Sequence, residues 1–207
     1  MARTVKTVAL TLAVLAFLGA VAGVGYLKVT GLSARPTPGV LEARAARATR
    51  SLATPRAVRN MVNPMALNAD AIAEGRAHFA DHCATCHAND GSGDTGMGRG
   101  LFPKAPDMRT VSQDLTDGEL FYFIEAGIRF TGMPAWGTGT QAGEDATWRL
   151  VHFIRHLPQI TAEEVEEMES MNPRPPAEIR QEIEAEEFLS GADVEPSAPT
   201  PSAAHEH

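Results

Sequence analysis

Cys83-Ala84-Thr85-Cys86-His87 decides the fold of this chain, because it contains the only two cysteines among 207 residues. The cysteines are three positions apart, and a histidine follows the second directly. On one helical turn, two thiols at this spacing can each form a thioether with a porphyrin, and the adjacent histidine can become an axial ligand of the iron. The motif therefore predicts one haem c, attached covalently through Cys83 and Cys86, with His87 as an iron ligand.

Two other kinds of site also use closely spaced cysteines. A structural zinc site needs four ligands, and the chain has no second cysteine pair. A dithiol redox site would accompany a βαβ pattern, which the sequence lacks. Haem attachment is therefore the favoured interpretation of the motif.

Charge divides the chain into zones. Residues 28–59 carry seven basic residues and one acid, whereas the residues after Thr161 carry thirteen acids and two arginines. These zones predict a signal anchor or transmembrane helix at 1–28, a basic linker at 29–67, a globular domain at 68–160 and an acidic tail at 161–207. The basic zone is short, lacks aromatic residues and adjoins the apolar segment, so nucleic-acid binding is not expected.

Residues 7–27 contain no charge and are long enough to cross a bilayer as one helix. Ala20-Val21-Ala22 offers a cleavage site, so a removable signal peptide is the alternative. A retained anchor is favoured because the apolar run continues five residues beyond that site. Six arginines follow the span, which by the positive-inside rule would place the domain in the cytoplasm. In the families that carry this motif, haem is attached outside the cytoplasm, and this outweighs the count of arginines. The sequence therefore predicts a single-pass protein of a bacterial inner membrane with a periplasmic domain.

A short amphipathic helix is predicted beyond the span. One side of this helix is apolar: Leu41, Ala45, Ala48 and Leu52. Arg44 and Arg47 lie on another side, so the helix can rest on anionic headgroups. The alternative is a solvated basic spacer interrupted by four prolines: Pro36, Pro38, Pro55 and Pro64.

The middle zone predicts an all-α fold, because no strand alternation is found in it. Asn68 is the expected cap of a helix that runs from Ala69 into the haem motif. The second helix, residues 144–156, has an apolar stripe and is stopped by Pro158. Because Gly75 lacks a side chain, these two helices are expected to cross closely there.

A third helix is predicted to begin at a capping box, Thr116-Asp117-Gly118-Glu119, and to close near Gly127. The histidine pairs at 78/82 and 152/156 have the spacing of a metal site, but they alternate with core positions, so solvated faces are expected for them.

The acidic tail predicts two helices, at 161–171 and 177–189, followed by a disordered end with the histidines of 205–207. A thin apolar edge on these helices could dock on a partner subunit, although a solvated tail is favoured: Val165, Met168, Ile179, Ile183 and Phe188.

A haem iron with two axial ligands needs a second ligand opposite His87. Met133 is the predicted ligand, because Gly132 permits close approach to the ring and Pro134 stiffens the loop. Met97 is only ten residues after the histidine, too near to reach the far face. The alternative for Met133 is core filling.

Residues 69–158 resemble a class I monohaem cytochrome c domain of the bacterial type. Gly75 and Phe79 match the Gly-x-x-x-aromatic pattern before the haem motif, and Gly132-Met133-Pro134 matches the distal ligand loop. Ala105-Pro106-Asp107-Met108 resembles the proline segment on the histidine side. The resemblance implies a fold of about three to five helices around the haem, a Pro106 carbonyl that accepts a hydrogen bond from the axial imidazole, and a Met108 side chain against the ring.

The resemblance implies an electron carrier that passes single electrons between a donor and an acceptor protein. No nucleophile–base pair, phosphate loop or second haem motif suggests an enzyme. A fixed subunit of a larger redox complex is the alternative, and a haem sensor or peroxidase, which needs an open iron position, is a third. Because Lys104 is the only lysine of the domain, a strongly acidic docking site on the partner is not expected.

Overall fold

The computed structural model describes residues 2–174 and 176–189. This part of the chain contains helices and no strand, which confirms the all-α prediction. The α-helices, in chain order, are α1 (Ala2–Thr30), α2 (Val40–Ala53), α3 (Arg56–Arg59), α4 (Ala69–His78), α5 (Ala84–His87), α6 (Gly96–Gly100), α7 (Met108–Val111), α8 (Asp117–Ala126), α9 (Gln141–His156), α10 (Ala162–Glu169) and α11 (Pro176–Leu189). A π-helical turn, Phe79–Cys83, joins α4 to α5, and 3-10 turns lie at Ser112–Asp114 and Leu157–Gln159.

Helix α1 is long and apolar enough to cross a membrane over 27 residues, Arg3–Val29. Its side chains are exposed, and none of the span is buried against the rest of the structure. A helix of this length exceeds the roughly 20 residues that a bilayer core requires. The helix is therefore consistent with the predicted N-terminal anchor.

The crossing of α4 and α9 forms the centre of the domain. Asn68 caps α4 as predicted, since its side-chain oxygen accepts a hydrogen bond from the Ala71 N–H at 2.8 Å. Gly75 lies against the backbone of Arg149, where a Cβ atom would overlap the carbonyl oxygen. One turn later the completely buried rings of Phe79 and Phe153 pack with their centroids 5.2 Å apart. The predicted close crossing is present.

Helix α8 is the third layer of the core. Its predicted capping box is formed, with reciprocal hydrogen bonds between Thr116 and Glu119. The helix ends at Gly127, whose φ of 67° few residues other than glycine adopt. Phe121 stacks on Trp148 of α9 at a centroid distance of 4.2 Å. The box and the glycine thus set both ends of a helix that packs on α9.

Residues 54–65, which we call the strap, contact the domain at several points, although more than half of these residues remain exposed. Thr54 is buried, and Gly118 of α8 approaches the strap so closely that a Cβ there would lie 2.8 Å from the Met61 Cβ. Arg59 pairs with Glu119 at 3.2 Å. The alternative of a solvated spacer is therefore wrong for this part of the predicted linker, because backbone contacts that no local pattern signals hold it in place.

The strap also explains why His152 is buried. His152 was expected on a solvated face of α9, and that prediction is wrong: the residue is buried, and its Nε2 lies 3.0 Å from the Met65 carbonyl oxygen. The end of the strap covers this face, and Asn63 donates from Nδ2 to the Trp148 carbonyl at 2.8 Å. The histidine is thus a structural partner of the strap.

Helix α10 belongs to the same packed body. Met168 is completely buried in the core cluster, and the His156 Nε2 lies 2.9 Å from the Glu164 carboxylate. Arg76 of α4 pairs with Glu167 at 2.7 Å. The favoured interpretation of a solvated tail is therefore wrong for α10, because its apolar edge is used within the chain.

Helix α11 matches the second predicted tail helix and leaves its apolar residues Ile179, Ile183 and Phe188 exposed. The predicted disordered end and the terminal histidines, residues 190–207, lie outside the described residues. The division of the chain into four segments remains a prediction. Met168 shows that packing of the domain extends beyond residue 160.

Candidate functional site

The Cys-x-x-Cys-His motif lies where α4 passes through the π-helical turn into α5. Phe79 and Ala84 are buried on either side of this turn and hold it against the core. The backbone of Ala88 then takes a φ of 60°, which ends the helix directly after His87. π-helical turns inside helices occur frequently at functional sites. The motif therefore lies on a short turn, and the buried residues of this turn pack against the core.

Both cysteines are free thiols and half-buried. Burial, with smaller contributions from Cys86 and Asp81, raises the pKa of the Cys83 thiol to about 12. This thiol is therefore neutral near pH 7. Within the described residues no group of three or more metal-ligating side chains is found. The structure thus gives no support to the zinc alternative.

His87 is half-buried beside Phe79, with ring centroids 6.5 Å apart. Burial lowers the pKa of His87, while the nearby Pro106 carbonyl opposes that shift. The contact with Pro106 falls short of a full hydrogen bond, because Nδ1 is buried without a partner that meets hydrogen-bond geometry. A neutral imidazole with one nitrogen beside a backbone carbonyl leaves the other nitrogen for a metal, so the residue fits an axial haem ligand.

A glycine-rich loop places Pro106 and Met108 beside the motif. The His87 carbonyl accepts a hydrogen bond from the Gly93 N–H at 2.8 Å. A Cβ on Gly93 would lie 2.5 Å from the Ala105 oxygen, so the chain before Pro106 packs tightly on this glycine. The Met108 N–H donates to the Gly91 carbonyl at 2.8 Å, and the Met108 side chain packs against the core. The loop therefore holds the proline segment beside His87, and the roles that the resemblance implies for Pro106 and Met108 remain predictions.

Met133 is half-buried in a loop that the structure holds on two sides. On one side, Gly132 packs on Leu101, whose Cδ1 would lie 2.9 Å from a Cβ at the glycine. On the other, the Trp136 ring lies 5.3 Å from the ring of His82, which immediately precedes the motif. Within the loop, the Ile128 N–H donates to the Met133 carbonyl at 3.1 Å.

Met97, the rejected candidate, is 56% exposed on α6. Neither methionine is shown to be a ligand by these contacts. Met133 as the second ligand therefore remains a prediction, supported by the contacts of its loop with Leu101 and with His82 beside the motif.

Two residues that hold the distal loop were not predicted from the sequence: Leu101, which contacts Gly132, and Trp136, which contacts His82 beside the motif. Leu101 and Gly132 are 31 positions apart in the sequence, and Trp136 and His82 are 54 apart. No local spacing in the sequence predicts such contacts. For Leu101, the only signal in the sequence is the run of glycines between residues 91 and 100, because a glycine-rich loop permits close backbone approach.

A cavity of about 340 Å³ lies beside His82 and Trp136. Its walls also include His78, whose ring is 4.9 Å from that of His82. Burial and the neighbouring His82 lower the pKa of His78. Asp81 contacts the Nδ1 of His82 at 2.9 Å. The two histidines of α4 and the π-helical turn therefore lie next to each other in the wall of this cavity, beside the motif.

A comparison with protein-family models matched residues 70–154 to the family described as Cytochrome C oxidase, cbb3-type, subunit III. The matched region begins in α4, contains the Cys-x-x-Cys-His motif and the loop of Met133, and ends in α9. The comparison with curated proteins gave no match, and neither did the comparison with solved structures. The match thus covers the motif and the loop that the sequence predicts to hold the haem.

Proposed function

Because residues 70–154 are a monohaem cytochrome c domain of the class I type, we propose that this chain is a membrane-tethered carrier of single electrons between two redox proteins. The observation that carries the proposal is the combination of one Cys-x-x-Cys-His motif with one apolar N-terminal helix. A cytochrome c domain implies haem c, which supplies a one-electron iron couple when bound.

Each site residue has a distinct part in the proposal. Cys83 and Cys86 hold the porphyrin through thioethers, so the haem is not lost between electron transfers. His87 binds the iron through the nitrogen that does not face Pro106. Met133 would provide a thioether sulfur as the second iron ligand, and such a ligand raises the reduction potential. The chain thus supplies ligation and orientation, while burial of Phe79 and Phe153 keeps water from the core beneath the motif.

The first test is the visible absorption of the reduced holoprotein before and after carbon monoxide is added. Carbon monoxide binds ferrous iron only where a position is free or weakly held. An unchanged spectrum is expected, because two firm ligands close the iron in a carrier. A complete shift would contradict the carrier and favour the third hypothesis, a haem sensor or peroxidase.

The proposed location is the periplasmic side of a bacterial inner membrane, with α1 as the single span. Its support is the apolar helix together with the extracytoplasmic attachment of haem to this motif. A reporter that is active only outside the cytoplasm tests the orientation. We expect activity when the reporter is fused after Leu189, a site that leaves Met168 and α10 packed on the domain. An inactive fusion that is still membrane-bound would reverse the orientation.

A second candidate function is a fixed subunit of a larger oxidoreductase. The matched family is described by an oxidase subunit, and α11 leaves an apolar edge exposed at Ile179, Ile183 and Phe188. Purification of the native protein in a mild detergent distinguishes the two. Stoichiometric partner chains would support the subunit, whereas a single chain with full haem content supports the carrier.

A further inference from the structure

Helix α2 has an apolar stripe that nothing in the described part of the chain covers. The stripe consists of four residues: Leu41, Ala45, Ala48 and Leu52. Its two leucines are 82% and 87% exposed. No residue of α2 is buried, so the core does not explain why these positions are apolar. An exposed amphipathic helix of this kind requires a separate explanation.

The stripe faces away from the cytochrome domain. Arg50 contacts the domain, with its guanidinium carbon 5.2 Å from the ring centroid of Phe123 on α8. Arg50 follows Leu41 by nine positions, which at about 100° per residue places the two side chains on opposite sides of the helix. The contact with the domain is therefore made by one side of α2, and the apolar stripe lies on the other.

Positive charge flanks the exposed stripe. Arg44 and Arg47 are exposed on one side of it and have no ion-pair partner among the described residues. The one acid of the helix, Glu42, is occupied at the N-terminus, where its carboxylate accepts a hydrogen bond from the Gly39 N–H at 3.3 Å. The outer surface of α2 is thus apolar and basic, a composition that complements a membrane surface with anionic headgroups.

The connection to α1 keeps α2 close to the membrane. Only residues 31–39 separate the end of α1 from the start of α2, and nine residues span at most about 32 Å. At its other end, α2 passes directly into the strap, where the Thr54 N–H donates to the Arg50 carbonyl at 3.0 Å. The helix is therefore held between the membrane anchor and the packed domain.

We propose that α2 lies on the membrane surface, with its apolar stripe at the headgroup boundary and Arg44 and Arg47 against anionic lipid headgroups. The proposal rests on the proposed membrane anchoring by α1. Because the strap joins α2 rigidly to α8 and α9, this contact holds the cytochrome domain at the surface with one face towards the lipid.

Hydrogen exchange of the full-length holoprotein in lipid nanodiscs tests the proposal. In discs that contain phosphatidylglycerol, the amides of α2 should exchange about tenfold more slowly than in discs of phosphatidylcholine alone, since each arginine gains from the negative surface. The double variant R44E/R47E should lose this difference. A matched control, K104E/R129E, changes the same amount of charge at exposed positions of the domain and should keep it.

A second variant tests the apolar part. Replacing both leucines of the stripe, L41S/L52S, should remove protection of α2 in both lipids without unfolding the domain, because both side chains are exposed. Equal, fast exchange of α2 in both lipids, with the protein inserted in the disc, would overturn the proposal and leave the anchor intact. A slowing by phosphatidylglycerol that survives R44E/R47E would also overturn it, since the two arginines would then not be the groups that meet the anionic headgroups. A protein that does not enter the discs would overturn both the anchor and the proposal.

Discussion

Gly75 of α4 lies directly against the backbone carbonyl of Arg149 in α9, and this contact sets the distance at which the two helices cross. A Cβ at position 75 would overlap that oxygen and lie 3.0 Å from the Phe153 Cβ. The same crossing packs Phe79 against Phe153 immediately before the haem motif. The position of the motif therefore depends on a missing side chain two turns earlier.

Replacing Gly75 with alanine should lower the free energy of unfolding by about 1–3 kcal/mol, since the backbone carbonyl it meets cannot move without shifting α9. Denaturant unfolding of the holoprotein, followed by far-UV circular dichroism, measures the change. Gly96→Ala is the control, because a Cβ at that helical position meets nothing within 4 Å. An unchanged midpoint for Gly75→Ala would contradict the close crossing.

Replacing Met133 with alanine should lower the reduction potential and allow carbon monoxide to bind the reduced protein, because the iron loses its sulfur ligand. Met97→Ala should change neither property, since Met97 is exposed on α6. Redox titration and absorption spectra of both variants provide the comparison. If the two variants behave alike, Met133 is a packing residue.

Replacing Met168 with alanine should destabilise the whole domain by about 2–5 kcal/mol, because this completely buried side chain would leave a cavity in the core. The matched control is Met171→Ala, at a position that is 38% exposed, where the loss should stay below about 1 kcal/mol. Thermal unfolding of the two variants measures the difference. Equal stability would show that α10 is an appendage rather than part of the folded body.

Replacing Glu164 with glutamine should cost about 0.5–1 kcal/mol near neutral pH, because its charge faces His156 and Arg76 while glutamine keeps the capping hydrogen bonds. Burial pushes the pKa of Glu164 up, but hydrogen bonds from the Thr161 N–H and His156, with the charges of His156 and Arg76, hold it below its usual value. A lowered pKa means that this stability is complete above the usual carboxyl pKa and is lost as the pH falls through the lowered value.

The gap in unfolding free energy between the parent and Glu164→Gln should therefore close as the solution is acidified. Urea unfolding at a series of pH values follows it. Glu163→Gln, an exposed neighbour on the same helix, should show no such gap. If the difference in unfolding free energy persists at pH values below the carboxyl pKa, the charge of Glu164 does not have the assigned role.

Signals within one turn of helix predicted the elements well. Asn68 and Thr116 each accept a hydrogen bond from a backbone N–H three residues away, which begins α4 and α8, and the positive φ of Gly127 ends α8. The bounds of the tail helices were also near those observed, Ala162–Glu169 and Pro176–Leu189. Such contacts depend only on neighbours in the sequence, so the sequence is sufficient to place them.

Long-range packing was not predictable in the same way. The bond between His152 and the Met65 carbonyl joins residues 87 positions apart, and the bond between Asn63 and Trp148 joins residues 85 apart. A basic, proline-rich segment has the composition of a spacer, and only its contacts with α8 and α9 reveal the strap. The burial of Met168 likewise depends on a groove that exists only once α4 and α9 have crossed.

The sequence by itself determined the cytochrome c domain, the candidate haem ligands of the Cys-x-x-Cys-His motif and the apolar helix before them, because covalent attachment and membrane crossing each require a contiguous pattern. The tertiary structure alone decided that the strap and α10 are parts of the domain, that the loop of Met133 is held by Leu101 and by His82, and that the stripe of α2 faces outwards. These are relations between surfaces, and a surface exists only after distant segments have been brought together and apolar side chains have been removed from water.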